Sequence, residues 1–262
     1  MNRYMEKELD PKSPSKISKE STYIGPQYQW EDFENRKEDR YAHEKYKLML
    51  SWLGDLYGKK TLVVGAGSGE FACMLAQGGA LVHCIDIDKV SADLVKRLSE
   101  MQGISLTAEV STIEDFQSPE KFDLVVATDV IEHIENDRRA CDAMMAQLNA
   151  NGQVLISVPA GQWLFGHHDE ILGHFRRYSK AKLVPLFSRV ETLHCRYFGF
   201  FLIPIVLLFS KFLRKPYPVS QVGRAAQRKM SVISLVSFVV FKLEQFSYPL
   251  GSSLLYLGRK SD

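Results

Sequence analysis

The chain has 262 residues, 45% hydrophobic and 24% charged, with a formal net charge of +2. That length suits one α/β domain with a large insertion better than two small domains, and the near-balanced charge gives no reason to expect nucleic acid as a partner. Cys73, Cys84, Cys141 and Cys195 show no CxxC or CxxH spacing, which predicts reduced thiols in a cytoplasmic protein rather than a disulfide frame or a zinc site.

Residues 1–22 are rich in Lys, Glu, Ser and Pro and contain no apolar run, so they read as a disordered tail, neither leader nor core. From 23 to 56, Tyr28, Trp30, Phe33, Tyr41, Tyr46, Leu50 and Leu53 recur at roughly helical intervals among charges. This predicts an N-terminal helical segment, either a lid over the following loop or a cover for a sheet edge.

The run Thr61-Leu62-Val63-Val64 stops at Gly65-Ala66-Gly67-Ser68-Gly69, and a helix-compatible stretch follows over 71–77. Strand, glycine turn and helix in that order form a hairpin suited to a nucleotide, because glycines let backbone N–H groups approach a ligand at the positive end of a helix. A second strand, 80–88, ends in acids. Asp86 lies about twenty residues beyond Gly65, the distance at which a parallel strand returns and points a carboxylate at a ribose diol. Asp88 reads as the N-cap of a helix over 89–101.

A third strand is expected over 104–110 and a turn over 111–116. The run 122–129 reads as a buried fourth strand ending on Asp129, followed by a helix from 130 to about 148. Asn149-Ala150-Asn151-Gly152 should stop that helix before a fifth strand, 153–158, closed by Pro159. Five β–α alternations imply a doubly wound, mostly parallel sheet with ligands at the carboxyl ends of its strands. Gly65, Gly67 and Gly69 make GxGxG where a dinucleotide dehydrogenase needs GxGxxG, so the loop suits a different nucleoside.

In this order the motifs resemble class I S-adenosylmethionine-dependent methyltransferases of the small-molecule type, over roughly residues 30–159. The resemblance rests on Val63 to Gly69, on Ile85-Asp86-Ile87-Asp88, on Ile113-Glu114-Asp115-Phe116, on Phe122 to Val126 leading into Asp129-Val130-Ile131-Glu132-His133, and on Asn151-Gly152-Gln153. It implies a Rossmann-like seven-stranded sheet with S-adenosylmethionine as donor and S-adenosylhomocysteine as product. Gly65, Ala66, Gly67, Ser68 and Gly69 would meet the methionine part, Asp86 and Ile87 the ribose, Thr112 and Ile113 the adenine, and Asp129 with Val130 the sulfonium end. Many relatives carry an aspartate before the Ile113 position, where this chain has Ser111-Thr112.

Methyl transfer is an in-line displacement served by positioning and, for a hydroxyl nucleophile, by a general base. His133 is one candidate, against the alternative that Glu132 complements a helix N-terminus and His133 only packs on the strand. The segment 163–179 gathers three histidines, two acids, two arginines and several aromatics after the fifth strand. Asp169 with His174 is expected as an oriented acid–base pair, with Trp163, Phe165, Arg177 and Tyr178 as substrate or lid contacts. Similar methyltransferases often have this Asp, Gly-His, Arg-Arg-Tyr string. No metal is expected, since His167, His168 and Asp169 are adjacent and diverge on most backbones.

The stretch 190–197 reads as a sixth strand and 253–259 as a seventh, returning antiparallel as in the resembling family. The core is thus expected over 57–197 and 250–262, with a hydrophobic helical insertion at 198–249 holding apolar runs over 198–213 and 230–243. Neither run reaches a spanning length of about eighteen residues. No acid occurs between Glu191 and Glu244, while Arg196, Lys211, Arg214, Lys215, Arg224, Arg228 and Lys229 flank the apolar runs. A segment lying in an anionic membrane surface has this composition, and so does a cap over the site or a homodimer interface. Each reading favours a hydrophobic small-molecule or lipid-like acceptor, and the first would place the protein at the inner membrane face. The activity expected is O-methylation of such an acceptor. N- or C-methylation, a non-catalytic cofactor-binding adaptor and a nicotinamide oxidoreductase are the alternatives.

Overall fold

The computed structural model describes residues 39–188, 190–214, 243–244 and 246–261. The tail at 1–22, the first part of the N-terminal segment and the apolar run at 230–242 lie outside them. Helix α1 (Arg40–Ser51) precedes strand β1 (Lys60–Val64) and is followed by α2 (Glu70–Gln77), β2 (Leu81–Asp86), α3 (Lys89–Gln102), β3 (Leu106–Val110) and β4 (Phe122–Thr128). Next come α4 (Asp137–Ala146), β5 (Leu148–Pro159), the short helices α5 (His167–Leu172) and α6 (Lys180–Leu183), β6 (Val190–Phe198), α7 (Ile203–Leu207) and β7 (Ser253–Lys260).

The strands form one seven-stranded sheet in the order β3-β2-β1-β4-β5-β7-β6. β1 to β5 are mutually parallel, and β7 runs antiparallel to both β5 and β6. The chain reverses its direction of travel across the sheet between β1 and β4, so their carboxyl ends frame the crevice where ligands bind in doubly wound sheets.

Alternation along the strands builds two cores. Val63, Val126 and Leu155 face Met49, Phe71, Leu75 and Leu94, whereas Leu62, Val64, Val125 and Ile156 face Met144, Tyr178, Phe187 and Tyr256. Successive side chains of a strand point to opposite faces, so an unbroken apolar run such as Leu62-Val63-Val64 is what a strand covered on both sides requires. Asp88 caps α3 as its spacing predicts, accepting from the Val90 N–H at 3.2 Å.

Two boundaries differ from the sequence reading. Residues 131–133 form a single 3₁₀ turn rather than the start of a long helix, and α4 begins only after Asn136, whose side chain accepts from the Arg139 N–H at 3.1 Å. That cap satisfies an end-of-helix donor that Val130 cannot. The stretch Asn149 to Gly152 is not a stop before β5 but lies within it, because Leu148 already pairs with Phe122 and the ladder absorbs the turn residues as a register shift before Leu124. Asn151 takes φ 60° there, which the short polar side chain tolerates.

Candidate active site

The glycine loop between β1 and α2 opens at the carboxyl edge of the sheet. Gly65 adopts φ 67° and packs so closely on Val130 that a Cβ would run into that side chain. Gly67, at φ 52°, has nothing within 4 Å of where a Cβ would stand, so its bare backbone faces open space. The Asp86 carboxylate, only 7% exposed, accepts from the Gly67 N–H at 3.0 Å and from the Asp88 N–H at 2.9 Å. Burial pushes its proton affinity up against the pull of these donors. Ile87 is exposed, Thr112 Oγ1 donates to Asp115 at 2.8 Å, and Ile113 is buried in the core below.

Asp129, the residue after β4, takes a left-handed backbone at φ 55°. Its Oδ1 accepts from Ser157 Oγ at 3.0 Å and its Oδ2 from Lys45 Nζ at 2.5 Å. Lys45 comes from α1 and its side chain is 5% exposed. Burial would depress its pKa, but Asp129, Tyr46 and Tyr41 outweigh burial and hold the ammonium charged beyond the ordinary lysine value. From the same helix, Tyr46 stacks on Phe71 with ring centroids 4.7 Å apart, and the Tyr41 hydroxyl lies 2.9 Å from both Ser252 Oγ and Ser253 Oγ. Nothing in the sequence marks Lys45, since a lysine among many in an amphipathic helix carries no signal until Asp129, 84 residues away, is placed beside it.

The loop from Gly161 to Tyr178 is closed by backbone bonds, Gly161 N–H to Tyr178 at 2.8 Å and Tyr178 N–H to Pro159 at 2.8 Å. Its hub is Asp169, fully buried, which accepts from His174 Nδ1 at 2.8 Å, Arg177 Nε at 2.7 Å and the Gly166 N–H at 3.0 Å. Burial opposes the charged form of Asp169, but these donors dominate and lower its pKa to about 2. The carboxylate can only accept, so Nδ1 of His174 is the donor in this bond, and the neutral tautomer it selects has its lone pair on Nε2. His133 meets His174 edge-on at a centroid distance of 4.6 Å; although the residue reaches solvent, the protein around its ring still desolvates it, and this, with His174 beside it, depresses its pKa to about 4. Burial likewise lowers His168 to about 4.

Several expected site residues fall elsewhere. Tyr178 is 1% exposed and donates its hydroxyl to Asp137 at 2.8 Å, and Arg177 is 3% exposed and spent on Asp169. Both brace the loop from inside rather than serving as substrate or lid contacts, because their polar ends are already satisfied in the interior. Trp163 is exposed and Phe165 half-buried, so these two remain available to a substrate. Glu132 does not complement a helix N-terminus. It is fully buried, and neither carboxylate oxygen has a hydrogen-bond partner among the described residues. The adjacent trio at 167–169 does not form a metal set, whereas Glu132, His133 and His174 bring one ligand atom each to within 4.8 Å of one another.

A doubly wound sheet with β7 inserted antiparallel beside β5, a glycine loop after β1 and acids ending β2 and following β4 define the class I S-adenosylmethionine-dependent methyltransferase fold. The sequence agrees: residues 62–156 match the family model described as a methyltransferase domain. Over 134 residues it is 28% identical to a ubiquinone biosynthesis O-methyltransferase from Aeromonas salmonicida, covering 49% of this chain and 56% of that protein. A protein of the same description from Haemophilus ducreyi is 30% identical over 108 residues, covering 39% and 46%. The chain therefore spans about half the length of the curated relatives it matches. Among solved structures, magnesium protoporphyrin IX methyltransferase from Synechocystis with bound SAH superposes with a TM-score of 0.59 at 15% identity, covering 90% of this chain and 94% of that one. A [4+2]-cyclase superposes with a TM-score of 0.57 at 17% identity, covering 82% and 79%, so the fold by itself does not choose the reaction.

Proposed function

We propose that the protein is an S-adenosylmethionine-dependent methyltransferase acting on a hydroxyl of a hydrophobic small molecule or lipid-linked intermediate. The observation that carries this reading is the open cradle at Gly67, with Asp86 on one side and Asp129 on the other. A Cβ at Gly67 would fill that space, and the two carboxylates suit the hydroxyls and ammonium of a nucleoside amino acid. When bound, the cofactor supplies an electrophilic methyl group on a sulfonium. The loop 65–69 would hold its methionine part, Asp86 and Ile87 its ribose, Thr112 and Ile113 its adenine, and Asp129 with Val130 its charged end.

The chain's own residues do the rest by placement. Asp169 and Arg177 fix the His174 imidazole in one tautomer, so that Nε2 can take or orient an acceptor hydroxyl proton, with His133 beside it. Trp163 and Phe165 offer apolar walls to the acceptor. The described start of the insertion packs against this loop: Ser210 is 2% exposed, and a Cβ at Gly166 would run into it. That arrangement favours a cap over the acceptor pocket. Its outer side leaves Phe212 78% exposed, with Ile205, Leu208 and Phe246 also exposed, a surface suited to lipid or to a second subunit.

Calorimetric titration with S-adenosylhomocysteine and with NAD tests the reading. Saturable binding of one S-adenosylhomocysteine per chain and none of NAD is expected, with binding lost in Gly67→Val while the circular dichroism spectrum is kept. Binding of NAD alone would overturn it.

A further inference from the structure

We propose that Glu132, His133 and His174 form a binding site for one divalent transition-metal ion beside the acceptor pocket. Three independent features point there. Glu132 is fully buried with both carboxylate oxygens unpartnered among the described residues, which is costly for an acid with nothing to bind. One ligand atom from each of the three residues lies within 4.8 Å of the others. Metal bonds of about 2.1 Å place ligand atoms roughly 3–3.5 Å apart, so modest side-chain rotation closes the set.

The third feature is the outer support. A metal-bound imidazole usually donates its other N–H to a carboxylate or a backbone carbonyl, which fixes the ring and its tautomer. His174 is arranged so. It gives Nδ1–H to Asp169 at 2.8 Å, and Asp169 is itself locked by Arg177. The two ligand-bearing segments are tied by the Phe175 N–H to the Glu132 carbonyl at 2.8 Å. His133 is exposed, which leaves an entry path. Two imidazoles and one carboxylate suit zinc, iron, cobalt or manganese better than magnesium.

The ion-binding claim stands on this geometry alone, and only its use rests on the methyltransferase reading. An ion here would take the acceptor oxygen as a further ligand and lower its proton affinity, so that the hydroxyl proton would pass to solvent water in place of His174. The same Nε2 lone pair cannot serve both.

The test is titration of chelator-stripped, tag-free protein with Co(II), followed by its visible absorption and by equilibrium dialysis. One Co(II) per chain is expected, displaced by Zn(II) and at least 100-fold more weakly by Mg(II). Binding should be lost in Glu132→Gln and His174→Ala and kept in His83→Ala, a variant of a residue on β2 away from the set. If Glu132→Gln does not fold, His133→Ala, at an exposed position, carries the comparison. Absence of stoichiometric Co(II), equal competition by Mg(II), or binding unchanged in the variants overturns the proposal. S-adenosylhomocysteine titration of the same samples separates the two readings. Loss of Co(II) with S-adenosylhomocysteine still bound removes only the ion, and the reverse removes only the methyl donor.

Discussion

At the scale of single residues, the ion pair between Lys45 and Asp129 ties the N-terminal helix to the end of β4. Lys45 has lost nearly all its hydration, and Asp129, 30% exposed, holds a left-handed backbone that only a well-determined surrounding sustains. Removing the ammonium takes the charged partner from that carboxylate. Lys45→Met is expected to lower unfolding stability by about 2 kcal/mol, below the figure for a fully buried pair because Asp129 is partly solvated, as measured by urea denaturation. The folded-state pKa of Lys45 is raised, so its contribution is complete at every pH below about 10.4 and fades only as pH climbs beyond that. His174→Ala is expected to abolish turnover while leaving S-adenosylhomocysteine affinity near that of the wild type. Normal turnover would remove His174 from the chemistry.

At the scale of elements, the loop between β5 and β6 is organised from inside. Its string of acids, histidines and arginines was visible in the sequence as a dense polar cluster, but the division of labour was not. Asp169 and Arg177 bury their charges against each other, Tyr178 reaches Asp137, and Arg176 Nη1 meets Asp137 at 2.7 Å, while His174 is held through Nδ1 alone. Asp169→Asn should cost about 3 kcal/mol, since it strands a buried guanidinium. The acid dependence follows from sign. The folded pKa of Asp169, about 2, lies below the unfolded value of about 3.9, so its stabilisation is complete above pH 4 and lost as pH falls from there towards 2. The unfolding midpoint of the wild type should therefore drop through that window more steeply than that of the Asn variant.

At the scale of the molecule, the insertion leaves β6 and is anchored where it returns to β7. Buried Glu244 accepts from the Gly199 N–H at 2.9 Å and the Phe201 N–H at 3.1 Å, and Arg196 Nη2 bonds the Glu244 and Phe246 carbonyls at 2.5 and 2.8 Å. These contacts hold an apolar face outward beside Lys211 and Arg214. No helix among the described residues is long and apolar enough to cross a membrane. Co-sedimentation with vesicles of mixed neutral and anionic lipid distinguishes lipid contact from a dimer interface. If the face meets lipid, the wild type pellets with anionic vesicles, Phe212→Asp pellets less, and raised salt releases both. A protein that stays in the supernatant and doubles its mass in sedimentation would assign the face to a second copy.

The order of strands and helices, the glycine loop, Asp86 as the acid ending β2 and the α3 cap at Asp88 were legible in the chain alone, because each depends on neighbours within a few residues or on a period of two or 3.6. The turn at 131–133 and the passage of β5 through Asn149 to Gly152 were not, since pairing with Phe122 and capping by Asn136 overrode local signals. The joining of Lys45 to Asp129, the burial of Arg177 and Tyr178, and the meeting of Glu132 and His133 with His174 were decided only by the tertiary structure. Charges and ring nitrogens leave no periodic trace in a sequence, and their pairing depends on which strand ends the sheet brings to one edge.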